Sequence, residues 1–266
     1  MARATQTLAS LVNAELTRQA NEVIIDLRTP TPVRITSGER AVSDARYRHL
    51  ARSYDTATGM FNAYRARAVR LLQLTPGEVV IDVGCGTGLC FSYLQQRIGP
   101  TGWIIGIDRS PEMLDQAEGR CTRHGWRNVT LIESDADTAD IRGSADAALF
   151  CAAHDVLQSA DSIGNVLAHV RPGGRCVAVG AKWAPPWFAG LNVLTALAHR
   201  PFVGSFVGFD KPWAVLMQSV PELQVTELAL GSGYAAVGYV RARSATSWHA
   251  VASTEANTAG ALTHTP

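Results

Sequence analysis

The feature that most constrains the fold is an alternation of short β-rich runs with helix-sized segments, which starts at Thr75. The β-rich runs are almost continuously apolar, as is typical of strands buried on both faces of a parallel sheet. The predicted strands are 79–83, 103–107, 129–132, 145–150 and 175–179, and the predicted helices between them are 89–97, 111–124 and 162–170. This alternation predicts an α/β fold whose mostly parallel sheet is covered by helices on both faces.

Two flanking segments complete the predicted domain. Residues 45–74 show apolar side chains at helical spacing, interrupted near Thr58-Gly59, which predicts two helices leading into the core. The runs 224–230 and 234–241 are separated by Gly231-Ser232-Gly233, with no helix between them. They predict an antiparallel hairpin that closes the sheet at seven strands.

The 266 residues divide into an N-terminal extension (1–44), one domain (45–243) and a flexible tail (244–266). The domain carries an insert, 182–213, that is rich in aromatic residues. These are Trp183, Trp187, Phe188, Phe202, Phe206, Phe209 and Trp213. Two interpretations stay open: a lid over an apolar or aromatic ligand, or the core of an additional helical layer.

Composition excludes several classes of protein. The net charge of +1 is not that of a general nucleic-acid binder, although residues 71–140 alone carry 5 basic and 10 acidic groups. The five cysteines are scattered and form no C-x-x-C pair or Cys/His cluster, so neither a disulfide framework nor a metal site is expected. No secretory signal or transmembrane segment is predicted, which favours a cytoplasmic location and leaves contact with a membrane surface open.

A glycine-rich turn follows the first predicted strand of the domain. It reads Gly84-Cys85-Gly86-Thr87-Gly88 and is preceded by Asp82. Such a turn lets the backbone approach a ligand at the carboxyl end of the sheet. A dinucleotide fingerprint starting at Gly84 would need Gly or Ala at position 89, which is Leu89, and no Gly-Lys-Ser/Thr of a phosphate loop follows.

At Asp82, Gly84, Gly86 and Gly88 the chain resembles the class I S-adenosylmethionine-dependent methyltransferases, whose first motif is D/E-x-G-x-G-x-G. The resemblance extends over roughly residues 45–241. It implies a Rossmann-like fold and S-adenosylmethionine as cofactor. It does not imply a particular methyl acceptor.

The resemblance also implies roles for residues at the ends of the next strands. Asp108 corresponds to the acid that binds the ribose hydroxyls, although NAD enzymes carry an acid there as well. Asp135 corresponds to the acid near the adenine amino group, with Glu133, Asp137 and Asp140 as close rivals. The full set of expected cofactor-binding residues is Tyr54, Asp82, Gly84, Cys85, Gly86, Gly88, Asp108, Arg109, Met113, Asp135 and Ala136.

His154 is the candidate catalytic residue, because it follows the fourth strand, where the acceptor meets the methyl group in this fold. It would take a proton from the acceptor, and the alternative is a histidine that only hydrogen-bonds within a loop. Tyr54-Asp55 is similar to a pair that precedes the core in quinone C-methyltransferases, where it helps to close the cofactor pocket. A tyrosine of the core is the alternative.

These observations predict an enzyme that methylates oxygen, carbon or nitrogen of a small, apolar or aromatic acceptor. Nucleic acid is disfavoured as the acceptor, because the segment after the fourth strand, Cys151-Ala152-Ala153-His154-Asp155, is not the Asn/Asp-Pro-Pro-Tyr/Phe motif of amino-methylating DNA enzymes. The alternatives are a lipid-amine N-methyltransferase, a methyltransferase-like binding protein without catalysis, and a nicotinamide oxidoreductase. The oligomeric state stays open.

Overall fold

A computed structural model describes residues 33–36, 51 and 53–241. The described strands are β1 Val33–Thr36, β2 Val79–Val83, β3 Trp103–Asp108, β4 Val129–Glu133, β5 Ala145–Cys151, β6 Val170–Ala181, β7 Gln224–Leu228 and β8 Gly233–Tyr239. The described helices are α1 Tyr54–Ala57, α2 Asn62–Leu71, α3 Phe91–Ile98, α4 Pro111–His124, α5 His154–Leu157, α6 Ala160–Ala168, α7 Ala189–His199 and α8 Ala214–Ser219. The predicted tail, 244–266, lies outside the described residues.

The strands form one mixed sheet in the order β1-β4-β3-β2-β5-β6-β8-β7. All neighbouring pairs are parallel except β6 with β8 and β8 with β7, so the Rossmann-like sheet of seven predicted strands and its C-terminal hairpin are confirmed. The short strand β1, from the segment predicted as an extension, pairs in parallel with β4 and adds an eighth strand at that edge.

Helices cover both faces of the sheet, as the sequence predicted. On one face, side chains of α2, α3 and α4 pack on residues such as Val80 of β2. On the other face, α6 and α8 pack on residues such as Ile81 of the same strand. Because neighbouring strand residues point to opposite faces, an apolar run feeds both cores, and each fully buried aliphatic side chain stabilises the fold by about 1.5–3 kcal/mol.

Two predicted helices have wrong boundaries, and the one predicted at 162–170 already begins at Ala160. The helix predicted at 89–97 begins at Phe91, because Gly88 has a positive φ of 73° and residues 87–90 form turns. The helix predicted at 162–170 ends at Ala168, and Val170 already belongs to β6. Pro172 lacks an amide hydrogen and Gly173 has φ of 77°, so this segment cannot continue a helix. The strand instead shifts its register against β5 there.

The start of α4 follows its predicted signals. The Ser110 side chain accepts a hydrogen bond from the Met113 amide at 3.3 Å, and Pro111 occupies the first turn. The helix therefore begins immediately after β3, and its N-terminus faces the carboxyl ends of the strands.

Strand order determines where a ligand can bind. The central strand β2 is flanked by β3 on one side and by β5 on the other, so the chain reverses its direction across the sheet at β2. In open α/β sheets, such a reversal opens a crevice at the carboxyl ends of the strands.

Candidate active site

A cavity of about 430 Å³ lies at the carboxyl ends of the central strands. One half of its wall comes from the turns after β2, β3 and β4. The other half comes from α1, α2, α5, α6, the ends of β5 and β6, the start of β8 and the insert after β6. Of the predicted site residues, the cavity wall contains Tyr54, Gly84, Gly86, Asp108, Arg109, Met113, Asp135, Ala136 and His154. Asp82, Cys85 and Gly88 lie behind the wall.

The three glycines of the turn after β2 serve different local needs. All three have positive φ, between 55° and 73°, a backbone conformation that side chains disfavour. A Cβ at Gly88 would lie 2.7 Å from the Phe91 ring, so this glycine also makes room for the buried start of α3. A Cβ at Gly86 would meet no protein atom within 4 Å, because it would project into open space at the cavity.

Asp108 ties the ends of β2 and β3 together. Its carboxylate accepts hydrogen bonds from the Gly86 amide at 2.8 Å and from the Ser110 amide at 2.9 Å. Burial raises the pKa of Asp108, while these two amide bonds act in the opposite direction. A carboxylate has about four acceptor directions, so both oxygens can still accept from the hydroxyl groups of a ligand in the cavity.

The turn after β4 supplies the next acceptors along the wall. Asp135 lies 3.8 Å from Arg109, and both side chains are partly exposed. Asp137 also lines the cavity, whereas its rival Glu133 is buried in β4 and Asp140 pairs with Arg142 outside the wall. Of the alternatives to Asp135 as the acid near the adenine, only Asp137 therefore remains.

A hydrogen-bonded latch joins α1 to the glycine turn. Thr87 donates from its hydroxyl to Asp55 at 2.6 Å, and Arg120 of α4 donates to the Thr87 carbonyl at 2.9 Å and also pairs with Asp55. This latch holds Tyr54, the neighbour of Asp55, in the cavity wall. Burial raises the pKa of Tyr54 to about 12, so its phenol stays protonated at neutral pH.

A buried arginine and a buried aspartate lie beneath this region. Arg65 of α2 donates to Thr58 and Asn62 at 2.9 Å, lines the cavity, and has no ion pair among the described residues. Asp82 is 1% exposed, and one carboxylate oxygen has no hydrogen-bond partner in the described part of the chain. Burial, followed by the charge of Asp108, raises the pKa of Asp82 to about 8.

His154 lies at the start of α5, in the part of the cavity wall formed by α5 and the insert. Its Nε2 lies 3.0 Å from the carbonyl oxygen of Val207, and its ring packs edge-on against Phe209 at 5.0 Å. A carbonyl oxygen can only accept, so Nε2 carries the proton in the neutral ring and Nδ1 carries the lone pair. That Nδ1 is buried and has no partner among the described residues.

Some aromatic residues of the insert form a small core, and others line the cavity, so each of the two predicted interpretations holds for part of the insert. Trp183, Phe206 and Phe209 pack against one another with ring centroids 4.9–5.1 Å apart and form a small core. Phe202 and Phe209 also line the cavity, as a lid would. Trp187 contributes to neither, because it is 78% exposed.

Sequence reasoning missed several polar residues that the fold brings to the cavity. Arg65 is one of many arginines in the first 70 residues, and nothing in its spacing distinguishes it. His199, at the end of α7, lies 45 positions from His154 and reaches the same wall through the insert. The only feature of the sequence that could have pointed to His199 is its place within the aromatic insert.

Comparisons with known proteins agree with this architecture. The model of a family described as a methyltransferase domain matches residues 74–188. Aklanonic acid methyltransferase DauC of Streptomyces sp. is 30% identical over 155 residues, which cover 53% of this chain and 68% of that protein. Demethylmenaquinone methyltransferase of Tropheryma whipplei is 32% identical over 143 residues, covering 49% of this chain and 55% of that protein.

A solved structure shows the same fold at low identity. A SAM-dependent methyltransferase from Aquifex aeolicus superposes with a TM-score of 0.54 at 16% identity, covering 72% of this chain and 97% of that one. With the cavity, the Asp108 carboxylate in its wall and the open glycine turn, the residues fit S-adenosylmethionine. The sequence and fold together show that this chain belongs to the class I S-adenosylmethionine-dependent methyltransferases.

Proposed function

We propose that this methyltransferase acts on a small, apolar or aromatic acceptor. The observation that carries the proposal is the continuity of the cavity, whose wall runs from the glycine turn to the aromatic residues Phe202 and Phe209. Cofactor and acceptor can therefore share one enclosure. The names of two relatives, which specify aklanonic acid and demethylmenaquinone, support a small-molecule acceptor.

In this proposal the residues from the turns after β2, β3 and β4 bind the cofactor. Asp108 accepts from the ribose hydroxyls, and Asp135 and Ala136 lie beside the adenine. Met113 and Arg109 complete that part of the wall, with Gly84, Cys85, Gly86 and Gly88 shaping the turn behind it. The bound S-adenosylmethionine supplies an activated methyl group, so the protein chiefly aligns the acceptor and excludes water.

Tyr54 and Asp82 belong to the methionine end of this cofactor site. Asp82 lies behind this part of the wall, beneath the glycine turn, and the latch through Asp55 keeps Tyr54 in the wall. His154, the base predicted from the sequence, lies in the same cavity wall, with its lone pair on the buried Nδ1.

The direct test is transfer of a radiolabelled methyl group from S-adenosylmethionine into a cell extract, fractionated by size and followed by mass spectrometry. We expect label in a small, organic-soluble product that carries one additional methyl group. Label in protein or nucleic acid instead would overturn the small-molecule proposal. Cofactor that binds but transfers nothing would favour the non-catalytic alternative.

Asp108→Ala tests the cofactor half of the proposal. Loss of hydrogen bonds from the ribose to a charged group costs about 1–3 kcal/mol, so calorimetry should show S-adenosylhomocysteine binding roughly 5- to 150-fold more weakly. Asp140→Ala removes an exposed carboxylate outside the cavity and serves as the control. Equal affinity in a folded Asp108→Ala protein would remove Asp108 from the proposed site.

A lipid amine is the second candidate acceptor, because α7 presents an apolar face to solvent. Val193, Leu194 and Leu197 are 60–65% exposed, and the helix forms part of the cavity wall through Thr195 and His199. Such a face is typical of helices that lie on a membrane surface. No helix among the described residues has the length and apolar composition needed to cross a membrane.

A further inference from the structure

A second histidine lines the acceptor half of the cavity. His199 is the last residue of α7, and its Nδ1 lies 2.9 Å from the carbonyl oxygen of Thr195, one helical turn earlier. Since that oxygen can only accept, Nδ1 carries the proton and Nε2 of the neutral ring carries the lone pair. No described residue forms a hydrogen bond with Nε2.

The two histidines differ in how accessible their lone pairs are. The lone pair of His154 is on the buried Nδ1, and Nε2 of His154 donates a hydrogen bond to the Val207 carbonyl oxygen. His199 is only partly buried, and its ring forms part of the cavity wall. Burial lowers the pKa of His199, which keeps the imidazole neutral at physiological pH and therefore able to accept a proton.

Aromatic rings lie near the His199 ring in this part of the cavity wall. The His199 ring lies 5.5 Å from Phe61 and 6.2 Å from Phe209, and Phe202 packs edge-on against Tyr54 at 5.5 Å. Flat apolar walls of this kind bury an aromatic ligand favourably. The other titratable side chains that line this half of the cavity are Tyr54, Tyr64, Arg65, Cys151, His154, Asp155 and Tyr234.

We infer that the acceptor is an aromatic hydroxyl compound, a phenol or an enol, whose proton is taken by Nε2 of His199. This inference rests on the proposed function and specifies its acceptor. As the O–H bond breaks, its proton bonds to Nε2 and an oxygen electron pair bonds to the methyl carbon. The bond from that carbon to the sulfonium breaks, and its electron pair stays on sulfur. The products are a methyl ether, S-adenosylhomocysteine and an imidazolium, which returns its proton to solvent.

The test measures binding of two probes, naphthol and naphthalene, to the full chain saturated with S-adenosylhomocysteine. The probes have the same ring system, and only naphthol can donate to an imidazole. We expect naphthol to bind about tenfold more tightly than naphthalene, the ratio for one hydrogen bond of about 1.4 kcal/mol. In His199→Phe, which keeps an aromatic ring without a lone pair, the two probes should bind equally.

His169→Phe is the matched control. His169 makes the same bond from Nδ1 to the carbonyl four residues earlier, at 2.9 Å from Asn165, but it is outside the cavity wall. This variant should keep the tenfold preference for naphthol. Nitrogen NMR of labelled histidine gives a second readout: the Nε2 resonance of His199 should be that of an unprotonated nitrogen and should shift when naphthol binds.

Three results would overturn the inference: a preference for naphthol that survives in His199→Phe, a protonated Nε2 in the neutral ring of His199, or no binding of naphthol. A preference lost in His154→Phe alone would assign the proton acceptor to His154. Failure of the wild type to bind S-adenosylhomocysteine would instead overturn the proposed cofactor site, so the two failures are distinguishable.

Discussion

At the scale of single residues, the site is built from polar groups that the fold withdraws from water. Asp82 is the clearest case, since its carboxyl group is 1% exposed and one oxygen lacks a partner among the described residues. Leaving a buried polar atom unpaired costs about 1–3 kcal/mol. This cost falls on the charged form, in agreement with the raised pKa of Asp82.

Asp82 should make stability depend on pH in a recognisable direction. Its pKa is about 8 in the folded chain against an ordinary value of 3.8, so the folded state binds more protons between those values. The free energy of unfolding should therefore fall as pH rises through that window, by up to about 1.4 kcal/mol per pH unit. Urea titrations should show that Asp82→Asn, which stays neutral, loses this slope.

Other groups titrate in the same range, so the quantity to compare is the difference in unfolding free energy between wild type and variant at each pH. Asp140→Asn, which alters an exposed carboxylate, should leave the slope unchanged. Parallel pH curves for the wild type and Asp82→Asn would show that Asp82 ionises normally in the folded chain.

At the scale of elements, the short helix α1 depends on a neighbour that is distant in sequence. A four-residue helix has little stability of its own, since helix nucleation is unfavourable. Arg120 of α4 and Thr87 of the glycine turn hold it through Asp55. Tyr54, the neighbour of Asp55 in the cavity wall, is thereby tied to the glycine turn.

Arg120→Gln should loosen α1 without unfolding the domain. Its guanidinium is 13% exposed and its partner Asp55 is 46% exposed, so we expect a cost of about 0.5–1.4 kcal/mol. Hydrogen exchange at Ala57 and Thr58, whose amides bond within this helix, should accelerate roughly two- to tenfold.

The control for the latch is Arg142→Gln. Its pair with Asp140 is more than half exposed and joins residues only two positions apart, so it connects no elements. Exchange at Ala57 and Thr58 should not change in this variant. Equal exchange rates in both variants would show that α1 is held by packing rather than by the latch.

At the scale of the whole molecule, the insert after β6 places an outward apolar face on the helix that also walls the acceptor half. Val193, Leu194 and Leu197 are 60–65% exposed on this helix, and the exposed Trp187 lies just before it. Exposed apolar side chains on one helix are typical of helices that lie on a membrane surface. A lipid acceptor would bring a membrane surface to this face.

If the acceptor is a lipid amine, the protein should sediment with phosphatidylethanolamine vesicles. Leu194→Glu should weaken this association roughly tenfold or more, because it removes about 1.5–3 kcal/mol of apolar burial. Tyr239→Glu is the control, since Tyr239 is 56% exposed at the carboxyl end of β8, away from the cavity, and pairs with Arg175 in the middle of β6. A wild type that stays in the supernatant would exclude the lipid candidate and leave the free small molecule.

Local signals in the sequence determined the parallel sheet, the hairpin, the Ser110-Pro111 start of α4 and the glycine turn, because each depends on residues close together in the chain. The motif around Asp82 was therefore sufficient to predict the family. Helix ends next to Gly88 and Pro172 were misplaced, since positive φ values and a register shift override periodicity there.

Only the tertiary structure brought together residues that are far apart in the chain. Arg120 pairs with Asp55, 65 positions away in the sequence. The insert brings His199 into the same cavity wall as His154. Such contacts depend on how helices pack on the sheet, which no local pattern encodes. The sequence thus determined the fold and cofactor, whereas the packing decided which side chains face the methyl acceptor.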